Sequence, residues 1–275
     1  MKKILFTICL VATAIATYAG RTETVKVFSA SMNRDIDVTV TYPTNSKKAC
    51  PVVYLLHGAF GNNNSWVEIK PNLADIADSL HMIFVTPSVN NSWYFDSPQH
   101  KDVRFETFMS SELIQYIDSH YRTIADRMHR AITGLSMGGH GALHTAMRHK
   151  DVFGAAGSTS GGVDIRPFPQ NWNIKDELGE MAANKQVWDE HTVVNNISRI
   201  ENGDLALIID CGEADFFLEV NKDLHKRLLG RGIDHDFITR PGAHNKEYWA
   251  NSIDYQLLFF KKFFKEEEAK VNCCE

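Results

Sequence analysis

The sequence predicts an α/β protein built on a mostly parallel sheet with helices on both faces. Three observations carry that reading. Short, continuous apolar runs recur along the chain, the pattern of strands buried on both faces. Stretches with helical spacing lie between them. From residue 52 onward the two kinds alternate, and strand alternating with helix builds a parallel sheet by right-handed crossovers.

The elements follow in order. Residues 24–28 and 35–41 alternate apolar and polar positions and predict an initial antiparallel pair. Residues 52–56 are uniformly apolar and read as a strand buried on both faces; 82–85 repeat the pattern and are closed by Thr86 and Pro87. Residues 131–133 form a shorter run that passes straight into a glycine-rich turn. Further strands are expected at 153–157, 205–209 and 237–239, and helices at 73–80, 105–120, 139–148, 218–229 and 246–264. The longest stretch without a strand is 161–203, which is expected to sit above the sheet and shape a pocket. With no linker in view, residues 20–275 read as one domain.

Residues 1–19 differ in kind. Lys2 and Lys3 precede an almost unbroken apolar run at 4–16, and Thr17 and Ala19 place small residues at a cleavage site. This is the pattern of a secretory signal peptide cut after Ala19, and the run is short for a bilayer-spanning helix. Secreted or periplasmic location follows. Cleavage removes two lysines and no acid, so the formal charge of −5 becomes −7. With that balance and no basic run, neither nucleic acid nor an anionic membrane is expected as a partner. Of the remaining cysteines, Cys50 and Cys211 read as small core residues, and Cys273 and Cys274 as part of a frayed tail.

Gly134-Leu135-Ser136-Met137-Gly138 contains G-x-S-x-G between an apolar strand and a helix, the context that motif requires. A nucleophile on so tight a turn projects clear of the sheet, and the flanking positions must be glycine because a Cβ would collide with neighbouring elements. Ser136 is therefore the expected nucleophile. A serine hydroxyl needs a base. In strand-turn-helix sites of this kind the order along the chain is nucleophile, acid, histidine. His244, between the last strand and the last helix, has the right place; His225 and His235 fall at the wrong end of the sheet. The acid should follow the penultimate strand, where Asp210, Glu213 and Asp215 lie. Asp215 follows the turn and could reach back to the imidazole, or it could simply cap the next helix; Asp210 remains the alternative.

Acyl transfer also requires donors for a tetrahedral oxyanion. The N–H of Met137 is one. The second is expected from His57-Gly58-Ala59-Phe60-Gly61, with Ala59 assigned and Phe60 as the other candidate; His57 reads as a brace for that loop. His140 and His144 have the i, i+4 spacing of a metal pair but no evident third ligand, and read as packing residues. Neither metal nor cofactor is expected.

Together these residues resemble the esterase D family of α/β-hydrolases, which includes S-formylglutathione hydrolases, bacterial short-chain esterases, feruloyl and acetyl xylan esterases, and mycolyltransferases. The matching pieces are Leu55-Leu56-His57-Gly58-x-x-Gly61-Asn62-x-x-x-Trp66, Ser92-Trp93-Tyr94, the segment 134–139, Cys211-Gly212-x-x-Asp215-Phe216 and Gly242-x-His244. The resemblance implies an α/β-hydrolase fold and a triad of Ser136, Asp215 and His244, in agreement with their positions. The signal peptide departs from the cytosolic S-formylglutathione hydrolases and points to secreted feruloyl or acetyl esterases acting on small or polysaccharide-linked esters. An acyltransferase or a thioesterase on the same scaffold is the alternative, and a binding protein that has kept the fold is a third. Trp66, Trp93, Tyr94 and Phe60 are candidate substrate-binding residues, with ordinary core packing as the competing role for the first three. In the 161–203 segment, Phe168, Trp172, Met181 and Trp188 are expected either to wall the substrate pocket or to pin the segment to the sheet.

Overall fold

A computed structural model describes residues 20–44 and 47–272. The expected signal peptide and Cys273 and Cys274 lie outside the described residues. All eight expected strands form: β1 (Arg21–Ser29), β2 (Arg34–Tyr42), β3 (Val52–Leu56), β4 (Ile83–Pro87), β5 (Arg130–Gly134), β6 (Ala155–Thr159), β7 (Ala206–Gly212) and β8 (Asp236–Arg240). They make one sheet in the order β1-β2-β4-β3-β5-β6-β7-β8. β1 and β2 pair antiparallel, β2 is antiparallel to β4, and every pairing from β4 to β8 is parallel.

The strand order reverses between β3 and β5. From β3 the chain leaves toward β4, and from β5 it leaves the other way toward β6. The loops at the carboxyl ends of these two neighbours therefore diverge, leaving a crevice where open α/β sheets bind ligands.

The helices are α1 (Ser65–Ile69), α2 (Leu73–Leu80), α3 (Phe105–Thr107), α4 (Leu113–His120), α5 (Met137–Arg148), α6 (Ile174–Leu178), α7 (Lys185–Glu190), α8 (Val193–Asn196), α9 (Leu218–Gly230) and α10 (Lys246–Asn272). Alternate strand residues feed opposite faces. Val52, Tyr54, Leu56 and Ile132 pack with α4, α5 and α9. Val53, Leu55, Phe84 and Ile208 pack with α1, α2 and the Ile253, Leu257 and Phe260 stripe of α10.

One expectation changes in detail. The helix expected at 105–120 is interrupted by a π-helical turn at Phe108–Glu112. Ser110 Oγ donates to the Glu106 carbonyl at 2.8 Å, and a side chain bonding back into the ladder in this way disturbs it. The 161–203 segment contains three short helices, pinned by Ile174, Leu178 and Trp188, all fully buried.

Glu106, 6% exposed, ties α3 to the end of α5. It accepts from Arg148 Nε at 2.7 Å, His149 Nε2 at 2.9 Å and His144 Nε2 at 3.4 Å. Burial pushes its carboxyl up, but these donors outweigh burial and hold it well below the usual carboxylate range. Glu106→Gln should lower unfolding free energy at pH 7 by about 3 kcal/mol, the low end for a broken buried pair, because Arg148 keeps 26% of its side chain in water. A folded-state pKa below the unfolded one stabilises fully above the unfolded value near 4.5 and loses that stabilisation as pH falls below it. Urea unfolding of both proteins at pH 7 and pH 3 should show the gap narrowing at pH 3; an unchanged gap would leave Glu106 a packing role only.

Candidate active site

Ser136 occupies the turn between β5 and α5 at φ 55°, ψ −118°. Its N–H donates to the Thr159 carbonyl of β6 at 3.0 Å, and its own carbonyl accepts from His140 N at 3.1 Å and Gly162 N at 3.3 Å. The motif glycines serve close approach. A Cβ on Gly138 would collide with the carbonyl oxygens of Leu56 and His57 at the end of β3, and one on Gly134 would lie 2.5 Å from the Gly138 backbone. The start of α5 is thereby pressed against β3, and Ser136 faces the crevice between β3 and β5.

His244 lies in the loop between β8 and α10. Its Nε2 is 2.9 Å from Ser136 Oγ and its Nδ1 is 2.9 Å from Asp215 Oδ2. A carboxylate can only accept, so Nδ1 carries the proton and donates to Asp215; Nε2 is left to accept from the Ser136 hydroxyl. The Asp215 side chain is fully buried, while that of His244 is 16% exposed. Asp215 does not cap the next helix, whose N-cap is Phe217; its Oδ1 accepts from the Phe217 N–H at 2.8 Å in the turn before α9, while Oδ2 holds the imidazole.

The alternative acid, Asp210, faces elsewhere. From within β7 its Oδ2 accepts from Ser252 Oγ at 2.5 Å, Gln256 Nε2 at 2.8 Å and Thr159 Oγ1 at 3.3 Å, and burial pushes its carboxyl up. His225 and His235 bond to each other at 2.7 Å, away from Ser136.

The loop after β3 runs against Ser136: a Cβ on Gly58 would be 3.3 Å from Ser136 Cβ. Among the described residues, neither the Ala59 N–H nor the Met137 N–H has a protein acceptor. The Phe60 N–H is bound to Asn91 Oδ1 at 2.6 Å, which leaves Ala59 the available donor of the two candidates. His57 braces the loop as expected. Its Nδ1–H donates to the Gly58 carbonyl at 2.7 Å, and its Nε2 accepts from the Val89 N–H at 3.0 Å. Burial lowers its pKa to about 4, so the ring is neutral in this role.

A cleft of about 520 Å³ opens above Ser136 and His244, lined by Ala59 and Phe60 of the β3 loop, Asn62, Ser65, Glu68 and Ile69 around α1, Trp172, Phe216, and Lys246 and Trp249 of α10. Phe60 reaches it and is 74% exposed. Three expected lining residues do not. Trp66, Trp93 and Tyr94 are at most 1% exposed, and each uses its polar tip on a backbone carbonyl: Trp66 Nε1 on Leu56, Trp93 Nε1 on Trp172 and Tyr94 Oη on His57. An aromatic ring with an N–H or O–H is well suited to that task in a core, and the substrate-binding assignment of these three is corrected accordingly.

In the 161–203 segment only Trp172 lines the cleft. Phe168 packs edge-on against Phe217, Met181 packs against the core, and Trp188 is buried with its Nε1 on the Gly179 carbonyl. Sequence reasoning missed Phe216 and Trp249. Phe216 directly follows Asp215, and its ring centroid is 4.3 Å from that of His244; Trp249 meets the same imidazole edge-on at 5.1 Å. Adjacency to the acid and to the histidine was the available signal.

His140 and His144 stack in the core with centroids 5.6 Å apart. Burial lowers them to about 3 and about 4, so both are neutral. His140 Nδ1 donates to the Gly162 carbonyl at 2.9 Å. Among the described residues no three His, Cys, Asp or Glu side chains are grouped to hold a metal ion.

The architecture matches the α/β-hydrolase fold. A solved ferulic acid esterase superimposes with a TM-score of 0.78 at 31% identity, covering 90% of this chain and all of that one. Among curated proteins, the acetyl esterase of Caldicellulosiruptor saccharolyticus is 26% identical over 215 residues, 73% of this chain and 79% of its own length. The S-formylglutathione hydrolase of Arabidopsis thaliana is 24% identical over 255 residues, 80% of this chain and 88% of its own. The family description "Putative esterase" matches residues 29–260, a span that holds Ser136, Asp215, His244 and the loop after β3, so the chain belongs to the esterase family and is a carboxylic ester hydrolase.

Proposed function

We propose that this chain is a secreted serine carboxylesterase that removes acyl groups from plant polysaccharide, feruloyl groups first and acetyl groups second. The hydrogen-bonded series Ser136, His244, Asp215 beneath an aromatic-walled cleft carries this reading. His244 Nε2 takes the hydroxyl proton as Ser136 Oγ attacks the ester carbonyl. Asp215 holds the imidazole in the required tautomer and stabilises it once protonated. The N–H groups of Met137 and Ala59 receive the oxyanion. Collapse of that intermediate breaks the bond to the alcohol, which leaves with the proton from His244. Water, deprotonated by the same imidazole, then attacks the acyl-enzyme, and Ser136 regains its proton as the acid departs.

Two observations support an aromatic acyl group. Trp172 and Phe216 stack in the cleft wall with centroids 5.7 Å apart and planes at 16°, and Phe216 is 53% exposed beside His244. A planar ring laid against that wall would bury surface that water now covers. Polar side chains of Asn62, Ser65, Glu68 and Lys246 line the rest of the cleft and suit a hydroxyl-rich alcohol.

Ser136→Ala should fold normally and lose ester hydrolysis by about 10⁴-fold or more, because nucleophile, base and acid act as a unit. Residual kcat above about a tenth of the parent's would place the nucleophile elsewhere. For the acyl group, kcat/KM on methyl ferulate and on p-nitrophenyl acetate should be compared for Trp172→Ala and Phe216→Ala. The ferulate-to-acetate ratio should fall about tenfold or more, as for loss of 1–3 kcal/mol of apolar contact. Equal losses on both substrates would remove the wall from specificity. Adding excess acceptor alcohol separates hydrolysis from acyl transfer, and hydrolysis should persist as the main fate.

A further inference from the structure

Asn221, in the first turn of α9, is fully buried. Its Nδ2 donates to the Gly161 carbonyl at 2.8 Å and to the Phe217 carbonyl at 2.9 Å. Two carbonyls around one atom identify that atom as the amide nitrogen, because only the NH2 group can donate. The other end of the amide, Oδ1, is buried with no partner among the described residues. A buried acceptor left unpaired is costly, and an apolar side chain would avoid that cost. What the position gains from an asparagine is the two donations.

Of these, the bond to Gly161 reaches the site. The Gly161 carbonyl and the Gly162 N–H are the two ends of one peptide. Among the described residues no peptide is cis, and the two ends of a trans peptide point in opposite directions. The Gly162 N–H donates to the Ser136 carbonyl at 3.3 Å. That carbonyl in turn shares a peptide with the Met137 N–H, proposed above as an oxyanion donor. A series therefore runs from Asn221 Nδ2 through the Gly161–Gly162 peptide and the Ser136–Met137 peptide to the oxyanion. In such a series each donation orients the next dipole and polarises the next N–H. Close packing keeps side chains out of the first peptide: a Cβ on Gly161 would collide with Ser158 Oγ, and one on Gly162 would lie 3.2 Å from the Phe217 ring and 3.3 Å from that of Trp93. With glycine on both sides the backbone is permissive, and the hydrogen bonds at the two ends of the peptide fix its direction.

We infer that Asn221 is a positioning residue: by donating to the Gly161 carbonyl it orients the Gly161–Gly162 peptide, and through it the Ser136–Met137 peptide whose N–H meets the oxyanion. The inference rests on the serine-esterase reading above. The oxyanion exists in the transition state and not in the bound ester, so the effect falls on kcat rather than KM. The His140 N–H also donates to the Ser136 carbonyl, at 3.1 Å, so losing Asn221 weakens the donor without abolishing it.

The test uses a short p-nitrophenyl ester, with thermal melting as the check on folding. Asn221→Leu removes both donations and should lower kcat about tenfold, less than the loss of about 10²- to 10³-fold typical of deleting an oxyanion donor outright, with KM within about threefold. Asn221→Ser separates the two bonds. A serine hydroxyl on a helix bonds the carbonyl four residues back, here Phe217, and its single proton cannot serve Gly161 as well. Its kcat should therefore fall to within about threefold of the leucine variant's. In both variants the pH at which kcat/KM reaches half its plateau should match the parent's, because the base and its orienting acid are unchanged. Parent-like kcat in either folded variant would overturn the inference; retained by serine alone, it would assign the effect to the Phe217 bond. A loss carried by KM, or a displaced pH midpoint, would overturn it too, the latter by tracing the loss to the Asp215 loop. Ser136→Ala, run in parallel, separates the two readings. Activity surviving that substitution sinks the esterase reading. Activity abolished by it, together with parent-like kcat in the Asn221 variants, sinks the role of Asn221 alone.

Discussion

The site depends first on a backbone constraint, the conformation of Ser136. A serine at φ 55° and ψ −118° costs on the order of 1–3 kcal/mol, so the fold must over-determine it. Three backbone hydrogen bonds do so, from Ser136 N to Thr159 and from His140 and Gly162 to the Ser136 carbonyl. Each is worth about 1 kcal/mol net, enough together to offset the strain. The second restraint is steric. With no Cβ at position 138, α5 begins in contact with the end of β3, and this contact also brings the loop 57–61 to Ser136. The strained serine, the helix start and the placement of the loop 57–61 are therefore consequences of one close approach between β3, β5 and α5.

A second constraint sets Asp215 and His244 relative to that serine. Gln256, on α10, bonds to the Thr133 hydroxyl of β5, to Thr159 Oγ1 of β6 at 2.7 Å and to Asp210 Oδ2 of β7 at 2.8 Å. Ser252, one turn earlier, bonds to the same Asp210 and Thr159. One helix thus grips the three strands that lead to Ser136, hold its N–H, and lead to Asp215. The same helix begins two residues after His244. Polar groups buried this deeply are costly unless they are paired, so the network favours one register of α10 on the sheet and with it one position for the imidazole.

This network explains which parts of the molecule the sequence alone makes legible. Strand order along the chain and the places of Ser136 and His244 follow from short-range pattern: apolar runs, a glycine-flanked serine, a histidine between the last strand and the last helix. Asp210 and Asp215 are not separable in that way. Both are aspartates near the end of β7, and what divides them is which face of the sheet each side chain meets. For Asp210 that is α10, more than forty residues away in sequence. The interruption of the helix at 108–112 was hidden for a different, local reason: it accompanies the bond of a single serine to a carbonyl four residues back, which the apolar periodicity does not register. The choice between Ala59 and Phe60 as donor needed Asn91, thirty-one positions removed from Phe60.

The aromatic residues show the same limit and the physics behind it. By residue type, Trp66, Trp93, Tyr94, Trp172, Phe216 and Trp249 are equally plausible walls for a planar ligand. The structure sorts them by what their polar tips do. The three that are buried out of the cleft each donate to a backbone carbonyl. Phe60 and Phe216 have no such group to offer, and the Trp249 indole N–H has no protein acceptor among the described residues. Aromatic side chains recruited for folding are thus committed through their hydrogen bonds, and those left at the cleft are held by ring contacts and backbone geometry alone. Ring contacts of that kind can be exchanged for a substrate ring at little cost, whereas a buried carbonyl cannot give up its donor.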